Sequence, residues 1–478
     1  MVLKFQNFVK LFSHKTKMNE RSTDKLQTDQ ATEDGSKDDV TNKKSCLMCL
    51  RSRTTLMIIV FVALLLDNIL LTTIVPIIPK LLSNEESAKY NCTNGNCSHS
   101  PNHTTEHFDP YIKIGIMFTT KPLVQFLVNP IIGPITNRIG YSIPMFTGFV
   151  LLFTSTIVFT VAKNFYLLLV ARAVQGIGSA CSSVSGMGML ATNYVDETER
   201  GRAFAFALSG LAIGLLIGAP YGGITYQFIS EEAPFLILAG LIIFEGILQL
   251  FALKPRIQRE SQEGSSLREL LKDPYILIAA GAITFGNLGM SVLEPTLPLW
   301  MKTTMNSTEW QQGIAFLPAS LSYLFGTNIF GPIAHRIGSG YSAGLGLLIT
   351  AGCLITIPFS RRIEHLIAPM FGMGFAVGMV DSSMMPVMGT LVDLRHVAVY
   401  GSVYAIADVA FCLSFVIGPI VSAILVKFLD FRWMIWIIAI FSFMYAPLTL
   451  FLRNPSQKKN NNLKISVCRS IYGLNEEQ

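Results

Sequence analysis

Long apolar runs, basic residues confined to a few stretches, and two halves that repeat each other predict an all-α membrane protein: twelve transmembrane helices in two pseudo-symmetric six-helix halves. Of the 478 residues, 51% are hydrophobic and only 14% charged. Mean hydropathy is +0.47, far from the composition of a soluble domain. A bilayer core about 30 Å thick takes about 20 mostly apolar residues per helix. Twelve such runs lie near 54–80, 112–135, 143–162, 165–191, 203–227, 233–253, 275–299, 311–333, 341–359, 366–391, 401–426 and 432–452. The predicted organisation is a disordered cytoplasmic arm over 1–53, a first half over 54–253, a cytoplasmic linker over 254–274, a second half over 275–452 and a cytoplasmic tail over 453–478.

Orientation follows from the basic residues. Lys43, Lys44, Arg51 and Arg53 precede the first run, and Lys254, Arg256, Arg259, Arg268 and Lys272 fill the middle loop. The positive-inside rule puts both on the cytoplasmic side. Twelve spans return the tail, with Lys458, Lys459, Lys464 and Arg469, to the same face. The net charge of +6 therefore sits on one membrane face, and nothing in the pattern points to nucleic acid.

The first loop, 81–110, carries glycosylation sequons at Asn91, Asn96 and Asn102, and a fourth stands at Asn306 between the seventh and eighth runs. Both segments fall on the luminal or exterior side, so sequons and charge agree. The start, "MVLKFQNFVKLF", lacks the apolar core and small-residue site of a cleavable leader, which leaves the first run as signal anchor. Cys92 and Cys97 are the two of eight cysteines placed for oxidation, and a local bridge between them is open. "CLMC" at 46–49 has no second ligand pair, so zinc is not expected; juxtamembrane acylation and idle thiols both remain open.

The halves repeat. "GPITNRIG" at 133–140 recurs as "GPIAHRIG" at 331–338. Asn68, Pro76 and Pro79 recur with the same spacing as Asn287, Pro295 and Pro298, and "IGAP" at 217–220 as "IGPI" at 417–420. Gly210, Gly214, Gly218 and Gly222 line one helix face without side chains, which admits a neighbouring helix closely. Simple tight packing and a flexing interface loosened by Pro220 are both consistent with that row.

Six charges interrupt the runs: Asp67, Lys121, Arg172, Glu294, Asp381 and Asp408. Each costs about 2.5–3.5 kcal/mol at the centre of a span, so they must face a polar interior. Four acids against two bases leave a surplus of negative charge, to be met by a proton or a cationic ligand. Lys121, Gln125 and Asn129 fall at i, i+4 and i+8; Asn287, Met290 and Glu294 share a face, as do Phe316 with Tyr323 and Asp408 with Phe411 and Phe415. Carboxylates beside aromatic faces suit an aromatic ammonium, although rings alone are equally ordinary packing. A carboxylate held in hydrocarbon is expensive as an anion, so it can take a proton from an acidic compartment and release it to neutral cytosol. No nucleophile–base or metal-ligand constellation marks an enzyme, and the duplicated halves argue against a receptor or channel.

Two six-helix halves joined by a charged cytoplasmic loop describe a transporter architecture in which a central site opens alternately to either side. "GPITNRIG", "RAVQGIGSA" at 172–180 and "GLAIGLLIGAPYGG" at 210–223 resemble the loop, fourth-span and fifth-span signatures of the major facilitator superfamily, the last with Ala219 where a proline is usual. "LLLDNILLTTIVPIIP", "DPYILIAAG", "AFLPASLSYLFGTNIFG", "GMVDSSMMP" and "LVDLRHVAVYGSVYAIADVAFC" extend the resemblance over nearly all of 51–455 to the vesicular monoamine transporters, with the vesicular acetylcholine transporter as a sibling.

That resemblance implies a proton-coupled antiporter, without cofactor, loading monoamines into acidic secretory or synaptic vesicles as a monomer dependent on a vesicular proton pump. Another organic cation, such as acetylcholine, a polyamine or a drug, is the alternative. It implies that Asp67 and Asn68 receive the amine, with Glu294 as second carboxylate and Asn287 and Met290 on the same wall. Leu211, Leu215, Phe316, Tyr323 and Phe415 would enclose the ring. Lys121 would pair with Asp408, supported by Gln125 and Asn129; Asp381 would carry a proton, and Arg172 would join the polar network. Three positions depart from the family: Phe415 stands where a tyrosine is common, Asn306 where vertebrate relatives place a bridging cysteine, and the tail lacks a clear acidic dileucine signal.

Overall fold

The computed structural model describes residues 36–74, 77, 110–162, 164–194, 196–253 and 265–453. The sequons at Asn91, Asn96 and Asn102, Cys92, Cys97, the arm before Ser36, linker residues 254–264 and the tail lie outside the described residues. Residues Met1–Arg53 and Thr54–Gln478 form two separate units, and everything below concerns the second. Helices α1 to α6 run Ser36–Thr73, Pro110–Ile139, Ser142–Val161, Phe165–Asn193, Glu197–Phe228 and Ala233–Leu253. Helices α7 to α10 run Pro274–Met305, Leu317–Ile337, Ser339–Thr356 and Ile363–Arg395. Gly401–Tyr445 is a single helical run broken at Asp430, whose φ of 63° and ψ of 160° separate α11 (401–429) from α12, which runs from 431 and closes with the 3-10 stretch Ala446–Arg453.

Among the described residues eleven helices are long and apolar enough to cross a membrane, the first of them Arg53–Thr73. The remaining one is α2, thirty residues long, whose polar stripe lowers its hydropathy. Its geometry explains how it survives in a bilayer. Lys121, Gln125 and Asn129 are buried while Leu123, Leu127 and Ile131 are exposed, so the polar face turns inward and the apolar face turns to lipid. In the first unit, residues 36–53 of the arm expected to be disordered are helical.

The halves meet mainly along two helix pairs, α2 with α11 and α5 with α8. The repeated octapeptide explains both contacts. A side chain at Gly133 would collide with Ala405 and Ser402 of α11, and one at Gly331 would collide with Ala205 and Gly201 of α5. The last glycine of each copy, Gly140 at φ 85° and Gly338 at φ 104°, turns the chain where L side chains are strained. The fifth residue bonds across the halves in both copies: Asn137 donates to the Ser402 hydroxyl at 2.8 Å, and His335 lies 2.6 Å from Glu197.

The glycine row of α5 packs on α1. Positions 210, 214, 218 and 222 face Phe61, Leu65 with Asn68, Ile69 with Thr72, and Thr73 in turn. Thr72 and Thr73 also donate to the carbonyls of Gly214 and Gly218 at 3.4 and 3.3 Å. The closely approaching neighbour expected from the sequence is therefore the helix that carries Asp67.

Candidate functional site

Asp67 lies six residues before the end of α1 and is 6% exposed. Its Oδ2 is 3.2 Å from Lys121 Nζ, and its Oδ1 accepts from Ser179 Oγ at 2.7 Å and Gln175 Nε2 at 3.2 Å. Arg172 continues the network: it donates to Gln175 Oε1 at 3.1 Å and to the Leu71 carbonyl at 3.2 Å, with its guanidinium 5.9 Å from the rings of Phe118 and Phe159. Two cations and two neutral donors thus compensate one carboxylate, as a buried charge requires.

Asp408 of α11 forms a second centre. Its Oδ2 accepts from Gln125 at 2.7 Å and Asn129 at 2.6 Å, and its Oδ1 from Ser183 at 2.9 Å. The expected Lys121–Asp408 ion pair is corrected by this geometry: the ammonium bonds to Asp67, and neutral donors hold Asp408. The support from Gln125 and Asn129 is present as expected. Lys121 and Gln125, one turn apart on α2, bond to Asp67 and Asp408 respectively, so the two acids share one neighbourhood.

A third buried acid lies on α10. Asp381 is 1% exposed; it accepts from Asn287 Nδ2 at 2.9 Å and from the Tyr323 hydroxyl at 3.1 Å. The duplicated asparagines keep a common local bond, Asn68 donating to the Leu64 carbonyl at 2.8 Å and Asn287 to that of Ile283 at 3.0 Å. Gly286, which stands where the first half has Asp67, is faced instead by Val380, the neighbour of Asp381. The single set of charges expected from the sequence therefore separates into two hydrogen-bonded groups.

Glu294 belongs to neither group. Its side chain is accessible. Leu211, Leu215, Met290, Phe316 and Phe415 are all half-buried. Leu211 packs with Tyr323 in one apolar cluster, joining α5 to α8 across the halves, and Phe415 meets Phe411 at 5.0 Å between ring centroids. Asn306, exposed at the end of α7 with φ 50°, leaves its sequon accessible.

Sequence reading missed Gln175, Ser179 and Ser183, although with Arg172 they fall at i, i+3, i+7 and i+11 on one face of α4. The signal was the one that exposed the α2 stripe, hidden here because small hydroxyls hardly interrupt an apolar run. It also passed over Glu245 of α6, 2% exposed and bonded to Gln249. At the end where α2 turns into α3, a further lock escaped it. Arg200, fully buried, donates to Asp393 at 2.8 Å and to the Tyr194 carbonyl at 2.9 Å. Asp393 accepts from the Tyr400 hydroxyl at 2.6 Å, and the Tyr400 amide donates to the Tyr141 hydroxyl at 3.1 Å. With Asn137–Ser402 and His335–Glu197, these bonds tie the halves together at that end.

Duplicated helix halves, an inward polar stripe and acids at mid-membrane on both sides of the interface define a membrane transporter with a central site. The Major Facilitator Superfamily model matches residues 56–407 and again 288–473. The human synaptic vesicular amine transporter is 48% identical over 86% of this chain and 90% of its own length, and the human chromaffin granule amine transporter 46% identical over 85% and 89%. The crystal structure of the human organic anion transporter MFSD10 superposes with a TM-score of 0.68, covering 83% of this chain and 99% of that one, at 17% identity. The chain belongs to the Major Facilitator Superfamily and, within it, to the family of the vesicular amine transporters.

Proposed function

We propose that the protein exchanges luminal protons for cytosolic monoamines across the membrane of acidic vesicles. The observation that carries this reading is Asp67 already holding an ammonium, that of Lys121, at 3.2 Å. A site built around one ammonium can receive another. An arriving amine displaces Lys121 from Asp67, and the freed lysine is near enough to Asp408 to take it as partner. The pairing implied by family resemblance then describes the loaded state, and the observed pairing the unloaded one.

Proton and amine are linked because buried acids cannot all stay charged without partners. Protonation of Asp408 removes the charge that would hold Lys121, sends the lysine back to Asp67 and expels the amine. Asp381, bonded to Asn287 and Tyr323, is the acid of the second half able to carry a proton through the cycle. Glu294 gives a second carboxylate for the ammonium, and Leu211, Leu215, Phe316, Tyr323 and Phe415, with Asn68, Asn287 and Met290, provide apolar and polar walls for an aromatic amine. Closure at the α2–α3 end, which the charge pattern assigns to the cytoplasm, supports reading the observed state as closed on that side.

The test is uptake of labelled serotonin and dopamine into acidified vesicles bearing the full chain. Uptake should vanish when a protonophore collapses the gradient and when Asp67 is changed to Asn. Uptake that persists without the gradient would refute proton coupling. Competition by acetylcholine or polyamines stronger than by monoamines would reassign the substrate.

A further inference from the structure

On the outer surface of the second half, α8, α9, α10 and α12 enclose a crevice of about 440 Å³. Facing rows line it: Tyr341, Leu345 and Leu348 at i, i+4 and i+7 on α9, and Phe443, Pro447 and Leu450 on α12. Gly344 and Ala446 have little or no side chain, which keeps the rows apart, and the buried Met379 of α10 forms the floor. Leu345 is 51% and Phe443 60% exposed, so in a bilayer this crevice is filled by hydrocarbon and not by water. At its mouth stands Arg453, the last residue of α12. It donates to the Tyr341 hydroxyl at 2.7 Å, with its guanidinium 5.3 Å from the ring centroid.

We propose that this crevice is a binding site for an anionic phospholipid, with one acyl chain between α9 and α12 and the headgroup phosphate on Arg453. The eight residues from Tyr341 to Leu348 span roughly 10 Å at 1.5 Å rise per residue, enough for the upper half of an acyl chain. Arg453 spends one donor on Tyr341, which fixes the planar fork at the membrane boundary, and its other N–H groups are suited to paired bonds with a phosphate. Arg336, exposed and next to the crevice residue Ile337, adds a second positive charge at this end. No acid lines the crevice. The floor gives the site a link to transport: Met379 lies two residues from Asp381 on the same helix, so a seated chain presses on the element that carries the second acid.

The experiment uses the purified full chain in detergent, exchanged with defined lipids and weighed by native mass spectrometry. The intact protein should retain phosphatidylserine several-fold over phosphatidylcholine. Arg453→Gln should bring that ratio close to one, and Arg453→Lys should keep part of it. Leu348→Trp, which fills the crevice without touching charge, should lower retention of both lipids severalfold. An unchanged preference in Arg453→Gln, undiminished retention in Leu348→Trp, or displacement of phosphatidylserine by cholesterol in the intact chain would each overturn the assignment. Monodisperse elution of each variant checks that it is folded, and should Arg453→Gln aggregate, Leu348→Trp and Arg453→Lys decide the matter.

Discussion

At the scale of single residues, a buried acid is legible in a sequence but its partner is not. Asp67 stands out because it interrupts "VALLLDNILLTT", and Asp381, Asp408 and Glu294 stand out in the same way. Which cation lies beside which acid depends on helix rotation and depth, and several helices reach the same level. Lys121 can face α1 or α11 with its helix hardly moved, and the structure puts it on Asp67. That choice has a measurable consequence. Removing one partner of a buried pair costs about 3–5 kcal/mol, because the other is left charged and alone. Lys121→Ala should therefore lower thermal stability strongly. Adding Asp67→Asn should restore most of the loss, whereas adding Asp408→Asn should restore little. Rescue by Asp408→Asn instead would give the resting pair back to α11. Asp381→Asn should leave the fold intact, since the amide can still bond to Asn287 and Tyr323, yet reduce proton-driven uptake at least tenfold.

At the scale of elements, the repeated octapeptide was visible as a repeat, and the structure gives each position a task. Its first glycine lets the halves touch, its fifth residue bonds across them, and its last glycine turns the chain. A side chain at Gly331 would meet Ala205 of α5, so Gly331→Val should hold the α5–α8 contact apart and suppress uptake while a smaller Gly331→Ala keeps a part of it. The amino end of α7 supplies a different kind of contact, unreadable beforehand because its members come from distant segments. Asp273 accepts from the Tyr275 amide at 3.0 Å, Arg395 Nε lies 2.6 Å from its Oδ2, and His396 lies 3.0 Å from the same oxygen. Burial pushes its carboxyl up, but the bonds from Arg395, His396 and Tyr275 outweigh it and hold the group below its ordinary value. A depressed carboxylate adds stability that is complete above its unfolded value and is lost as pH falls through the folded one. The clasp should therefore persist at neutral and mildly acidic pH and fail only in stronger acid. Asp273→Asn should cost about 1.5–3 kcal/mol, the range for a hydrogen bond to a charged group, and thermal melts at neutral pH should show the loss while melts in acid strong enough to protonate the carboxyl in the folded state should not.

At the scale of the whole molecule, span count, duplication and the family were legible because hydrophobic length and repeated motifs are local in sequence. The conformational state was not, because closure is a relation between two halves. It rests on a few cross-half bonds, with Arg200 as the most committed: fully buried, bonded to Asp393 and Tyr194, and 5.5 Å from the Tyr400 ring centroid. Breaking this lock costs the closed state and nothing in the open one, so the equilibrium must shift toward opening at the α2–α3 end. Arg200→Gln and Asp393→Asn remove the same bond, and their effects should not add. The measurement is modification of a cysteine placed at Val403, which is fully buried beside the lock, in a chain depleted of other reactive thiols. Either variant should speed its labelling at least tenfold, and the double variant no further. If labelling stays as slow as in the parent, the seal resides in the glycine contacts of α2 with α11 and α5 with α8, and Arg200 serves the fold of its own end alone.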